Sequence, residues 1–233
     1  MSSVTSTLPT SRRGYLSQDE LKQVANIVIN DSTEADDVIG QAEELIDAFV
    51  GPQDTWLPYE VTGLLSSSGS TTSHTLKTSH QNVYHTDYFK GCEMEIVGGT
   101  GAGQRKRITE STKAGVLTTD AFTVALDNTS FYRITQVGKF PRRKDVHFDS
   151  GSSDKYYKTI PEQVRRAVAF QVEYIIEMGD SFFKTDKNEY QSESIGDYSY
   201  SKGQSGAGIN TMIAPKARKV LSGIVNRKGV IHV

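Results

Sequence analysis

Cysteine is nearly missing from this 233-residue chain: Cys92 is the only one. That excludes an internal disulfide framework and a cysteine-rich zinc site. No apolar run approaches the ~20 residues that a membrane-spanning helix needs. Residues 1–11 are polar and rich in Ser and Thr, without the apolar core of a signal peptide, so the chain reads as soluble and unsecreted. An excess of charge of one sign is absent too. Twenty-six basic residues stand against 28 acidic ones, a formal net charge of −2, so no global field recruits nucleic acid or an anionic membrane.

Signatures of catalysis are equally scarce. No serine lies in Gly-x-Ser-x-Gly, and no carboxylate pair stands out for acid–base work. Asp145, His147 and Asp149 alternate on a possible strand, with nothing to mark a nucleophile. His74, His80 and His85, with Asp87, have neither helical His-x-x-x-His spacing nor a cysteine partner, so no metal is expected. The run Gly98-Gly99-Thr100-Gly101-Ala102-Gly103 is followed by Gln104-Arg105-Lys106-Arg107 rather than Lys-Ser or Lys-Thr. The residues after it alternate like a strand, so no helix N-terminus would face a phosphate. A glycine-rich hairpin turn is expected there. The basic clusters Arg105-Lys106-Arg107 and Arg142-Arg143-Lys144 read as solvated surface. No enzymatic activity and no cofactor are expected.

What is present is helical periodicity at both ends and strand periodicity between them. The longest stripe follows Pro161: Val164, Ala167, Val168, Gln171, Val172, Ile175 and Ile176 recur at spacings of three and four, and Gly179 ends the helix. At ~1.5 Å per residue it should be about 27 Å long. Toward the front, Ser17 and Glu20 form a capping box for a helix running through Leu21, Val24, Ala25 and Val28. Ser32 or Thr33 caps a second helix with Val38, Ile39, Ala42, Leu45, Ile46 and Phe49 inward, stopped by Gly51-Pro52. Its outer residues Glu34, Asp36, Asp37, Glu43, Glu44 and Asp47 include no cation. They read either as a solvated face or as an interface for a basic surface. Pro215 opens a last short helix, and from Lys216 onward the chain carries Lys216, Arg218, Lys219, Arg227 and Lys228 with no acidic residue.

In the middle, strands are expected at Val83-Tyr84, 92–97, 105–109, 116–119, 122–126 and 131–137, with turns such as Asp127-Asn128-Thr129 between them. Twenty glycines and eleven tyrosines fit this β component. The fold class expected is α+β: a small antiparallel bundle of about four helices with an inserted β barrel or sandwich. Residues 1–13 form a flexible arm, 14–55 with 147–233 the helical domain, 56–146 the insert, and 226–233 a β-prone tail. The stretch 186–210 is long and polar, with 193–200 alternating around Ile195, Tyr198 and Tyr200.

Several short motifs carry a resemblance. Glu193-Ser194-Ile195-Gly196-Asp197-Tyr198-Ser199-Tyr200, followed by Ala214-Pro215-Lys216-Ala217-Arg218-Lys219-Val220-Leu221, resembles the end of the head–tail connector adaptors of tailed phages, also called head completion proteins. Leu16-Ser17-Gln18-Asp19-Glu20-Leu21 and Ala42-Glu43-Glu44-Leu45-Ile46-Asp47 resemble the paired opening helices of that family, and the helix after Pro161 its third. The β segment departs from the nearly all-helical family pattern. Its Gly99–Gln104 turn and its 126–132 strand resemble a β module met in various phage structural proteins.

The resemblance implies a virion protein made in the host cytoplasm and placed at the neck. It implies a ring, commonly of twelve copies, that binds the portal protein and a downstream neck or tail component, with DNA passing through unread. Docking to the portal would fall to Lys216, Arg218, Lys219, Arg227, Lys228, Val230, Ile231 and Val233. Glu34, Asp37, Glu43, Glu44 and Asp47 would face a neighbouring subunit. A carbohydrate- or receptor-binding virion protein working through the β insert is the alternative, and a nucleic-acid-processing factor is a third class.

Overall fold

The computed structural model describes residues 12–151, 154–179, 192–195, 198–201 and 212–225. The chain divides into two compact units, Met1–Pro52 with Glu162–Val233, and Gln53–Pro161.

In the first unit, local chemistry sets where helices begin and end. Helix α1 (Gln18–Ala25) opens on the expected capping box: Glu20 N donates to Ser17 Oγ, and Ser17 N to the Glu20 carboxylate at 2.8 Å. It stops at Ala25 because Asn26 turns left-handed (φ 55°), which leaves Val28 outside the helix. Helix α2 (Ser32–Val50) is capped by Asp31, one residue before the expected position. The Asp31 carboxylate accepts from Thr33 N and Glu34 N. Gly51, at φ 69°, ends α2 as expected. Helix α3 (Glu162–Met178) buries Val164, Ala167, Val168, Gln171, Val172 and Ile175, and packs against α1, α2 and the last helix, α4 (Pro215–Leu221). Ile176, expected inward, is 47% exposed. Each fully buried aliphatic side chain on these faces stabilises the unit by about 1.5–3 kcal/mol.

The second unit holds a six-stranded antiparallel sheet in the order β1-β6-β3-β4-β5-β2. Its strands are β1 (Val61–Leu64), β2 (Ser73–Thr75), β3 (Glu93–Gly98), β4 (Arg105–Ser111), β5 (Val116–Thr119) and β6 (Phe131–Thr135). Alternation does the sorting: Met94, Ile96, Ile108, Leu117, Tyr132 and Ile134 point into one core with Leu65, Leu76, Phe89, Phe122 and Leu126. A hairpin of β7 (Val146–Asp149) and β8 (Lys155–Lys158) belongs to the same unit. Expected strands at Val83-Tyr84 and 122–126 do not form. Tyr84, Phe122 and Leu126 reach the core from turns while Val83 and Val124 stay exposed, with Asn82 at φ 58° and Phe122 N bonded to Thr71 O. Strands β9 (Ser192–Ile195) and β10 (Tyr198–Ser201) pair antiparallel with each other.

The expected fold class is corrected by this arrangement. The described residues form four helices and a curled six-stranded half-barrel, a mix too strand-rich for a helical bundle carrying an insert. Two of the four helices are only eight and seven residues long, so a regular four-helix bundle cannot form. The sheet is neither a closed barrel nor a sandwich. Its edge strands do not ladder together; they meet near one end, where Ser66 N donates to Thr75 O at 3.0 Å.

Candidate functional site

The acidic face of α2 is not uniform. Glu34, Asp37 and Glu44 are exposed, but Glu43 is fully buried and Asp47 nearly so. The reason is the segment that leads into α1. Its backbone approaches α2 side-on, and four successive N–H groups converge on the Glu43 carboxylate: Arg13 at 2.6 Å, Gly14 at 3.2 Å, Tyr15 at 2.7 Å and Leu16 at 3.3 Å. Such a run of N–H groups forms an anion-binding concavity, here filled by the chain's own carboxylate. Gly14 sits at φ 71°, which bends the run around the carboxylate. Tyr15 Oη donates to Asp47 Oδ1 at 2.7 Å, Arg13 Nε lies 3.4 Å from Asp47 Oδ2, and Arg12 pairs with Asp36. Glu43 and Asp47 therefore leave the set proposed to face a neighbour. Arg12 and Arg13, assigned to a flexible arm, are fastened to α2; residues 1–11 lie outside the described residues.

Among the basic residues expected to dock, Lys216, Arg218 and Lys219 are exposed on α4. Lys216 Nζ is 2.8 Å from Glu173 and sits over the Phe170 ring, while Arg218 stacks on Phe49. Gln171, buried on α3, brackets the start of α4: its Nε2 donates to Met212 O at 2.9 Å and its Oε1 accepts from Ala214 N at 2.8 Å. Arg227, Lys228, Val230, Ile231 and Val233 lie outside the described residues.

The glycine run is a hairpin turn. Gly99, Gly101 and Gly103 all have φ between 77° and 87°, and a Cβ on Gly99 would meet Thr129 O at 1.9 Å. Only glycine fits against the 127–129 turn. Thr100 Oγ1 donates to Asp127 Oδ2 at 2.7 Å, and hydrogen bonds from Thr129 and Thr100 hold the Asp127 carboxyl below its usual range.

The histidines are scattered. His74 Nε2 is 3.0 Å from Thr119 Oγ1 in the core, His80 Nδ1 is 2.7 Å from Tyr132 Oη, and His85 lies 2.7 Å from Asp154. Asp87 is buried against Lys155 at 3.0 Å. Among the described residues no group of three or more His, Cys, Asp or Glu could hold a metal ion. The basic clusters are partly paired: Arg105 bonds Glu95, which also accepts from Arg133, Arg142 bonds Asp145 and Arg143 lies 3.7 Å from Asp54, while Lys106, Arg107 and Lys144 have no ion pair among the described residues. Arg133, then Arg105, draw the Glu95 pKa down. Asp145 thus precedes β7 as an ion-pair partner, apart from His147 and Asp149 on the strand.

Aromatic rings in the second unit pack on one another rather than forming an open platform. Trp56 lies 5.1 Å from Tyr88 and 4.8 Å from Tyr156, and Tyr84 4.8 Å from Tyr88. Lys158 is enclosed beside them, donating to Tyr88 O and Lys90 O, and burial pushes its pKa down.

Burial also lowers His74 to about 4. The unfolded chain, near the ordinary 6.5, binds this proton first, so His74 supports folding fully above pH 6.5 and loses that support as pH falls toward 4. Urea midpoints measured across that window should fall for the wild-type chain. The same slope should be absent in His74→Gln; an equal slope in both would refute the assignment.

Two features escaped the sequence reading: the Glu43 cradle, and residues 27–30, which lie in neither helix nor strand. Gly14 was the one signal for the first, and the run of three β-branched residues Ile27-Val28-Ile29 was the signal for the second. The chain matches no protein-family model and no curated protein.

Proposed function

We propose that the chain is a head–tail connector adaptor of a tailed-phage virion, assembling as a ring beneath the portal, lengthening the DNA channel and offering a platform to the next neck or tail component. One observation supports this most. The stretches that carry the family resemblance come from opposite ends of the sequence, yet α1, α2, α3 and α4 lie in one compact unit. Exposed Glu34 and Asp37 on α2 and exposed Arg218 and Lys219 on α4 give that unit opposite charges at separate positions. A head-to-tail ring can use such a pair at every interface. The α4 cations meet the portal or a neighbour in this scheme, and no chemistry is required of either unit.

The test is imaging. Purified protein mixed with the portal of its own virion should give ring particles stacked coaxially on portal rings in negative stain. Bare portal rings with the protein left unbound would overturn the proposal. A Glu34→Lys, Asp37→Lys double variant should form such rings several-fold less well at low salt and should differ little from wild type at high salt, where screening shortens charge interactions to about 3 Å. Rings of equal yield at low salt would remove these two residues from the interface.

A further inference from the structure

The segment joining α1 to α2 has main-chain groups with no hydrogen-bond partner among the described residues. Asn26 N still bonds Lys22 O and Ala35 N bonds Asp31 O, but none of Ile27, Val28, Ile29 or Asn30 has a main-chain bond. Their side chains alternate as those of a strand do: Ile27 half-buried, Val28 62% exposed, Ile29 half-buried. Beside them runs a surface groove of about 200 Å³ with Leu21, Ile27, Ile29 and Ala35 in its walls and Asp19 and Lys22 at its rim. A short β-like run with open N–H and C=O groups and an apolar trough is an acceptor for an added strand.

We propose that the strand it accepts is the segment 229–233 of a second copy of this chain. That segment, Gly229-Val230-Ile231-His232-Val233, is β-branched and uncharged apart from its histidine, so it suits both the ladder and the trough. Arg227 and Lys228 precede it, while Asp19 and Glu34 are exposed around the acceptor, and Glu34 has no cationic partner among the described residues. The charges complement each other.

Distance favours a second copy over the same chain. Arg218 of α4 stacks on Phe49, and from there to Ala35 at the groove is ~21 Å along α2 at ~1.5 Å per residue. From Arg218 the chain keeps helical turns as far as Val225, a rise of ~10 Å. The four steps to Gly229 add ~14 Å at full extension, so the chain's own segment reaches the groove only with both parts running straight toward it. This docking stands independently of the virion proposal and assigns the tail to a neighbouring copy instead of the portal.

Complementation between two variants tests it. Val28→Asp spoils the acceptor and keeps the strand; Ile231→Asp spoils the strand and keeps the acceptor. Val28 is exposed, so its replacement should leave the far-ultraviolet circular dichroism unchanged. Sedimentation of the full chain should show self-association for the wild type and at least tenfold weaker association for each variant alone. A mixture of the two should pair one to one. Hydrogen exchange at amides 27–30 of the wild type should slow with rising protein concentration. Failure of the mixture to pair, or exchange at 27–30 that ignores concentration, would overturn the proposal. Protection that is present at every dilution would mean the chain's own segment fills the groove, which overturns it equally. Absence of rings on the portal would leave these outcomes untouched.

Discussion

Glu43→Ala is expected to cost the helical unit about 3–5 kcal/mol, the range for removing one partner of a buried charged pair. The carboxylate is fully buried and accepts from four main-chain N–H groups between Arg13 and Leu16. Alanine takes away every acceptor at once while the donors stay enclosed, and each enclosed donor left unsatisfied costs on the order of 1–3 kcal/mol. It also leaves Arg12, whose Nε is 3.5 Å from Glu43, without that counter-charge. Part of the loss is relieved if the entering segment swings out into water, so the sum is smaller than four full penalties. Glu43→Gln separates charge from hydrogen bonding: its single amide oxygen can accept from some of the four donors, and its NH₂ faces N–H groups it cannot serve. Its cost should fall between wild type and alanine. Urea unfolding followed by circular dichroism would measure both. A Glu43→Ala loss below 1 kcal/mol would mean that the cradle is not formed in solution.

That carboxylate also shows where sequence reading ran out. A glutamate between Ala42 and Glu44 on an amphipathic helix looks solvated, because the helical period knows nothing of a segment nearly thirty residues earlier. The legible features were local. Ser17 and Glu20 announced their capping box, Gly51 its stop and Pro215 its start, since each acts within one turn of chain. The strands at Arg105–Ser111 and Val116–Thr119 were legible from alternation between turn residues. Phe122 and Leu126 misled because an apolar residue enters the core as readily from a turn as from a strand. Whether six short strands close into a barrel depends on the register between the first and the last, and no local pattern encodes that. The helical bundle with an insert failed for a related reason. Periodicity located the helices but not the packing of the two short ones, which rests on side chains such as Arg165, 2.9 Å from Glu20, and Gln171.

Gln171→Leu is expected to detach α4 from α3. The glutamine interrupts an otherwise apolar stripe, is fully buried, and spends both ends of its amide on the main chain leading into α4, at Met212 O and Ala214 N. Leucine matches its bulk and removes both partners together, leaving one carbonyl and one N–H unsatisfied at about 1–3 kcal/mol each. A total of ~2–6 kcal/mol compares with the apolar burial that holds this short helix, chiefly Ala217 and Leu221. The loss should therefore be local: amides of 218–221 exchange far faster while those of α2 and the centre of α3 remain protected. Gln171→Glu sharpens the reading, because a carboxylate still accepts from Ala214 N but repels Met212 O. Its exchange should lie closer to leucine than to wild type. If α4 amides in Gln171→Leu exchange at the wild-type rate, the helix is held by Ala217, Leu221 and the Lys216–Glu173 pair alone, and the amide bracket is incidental to it.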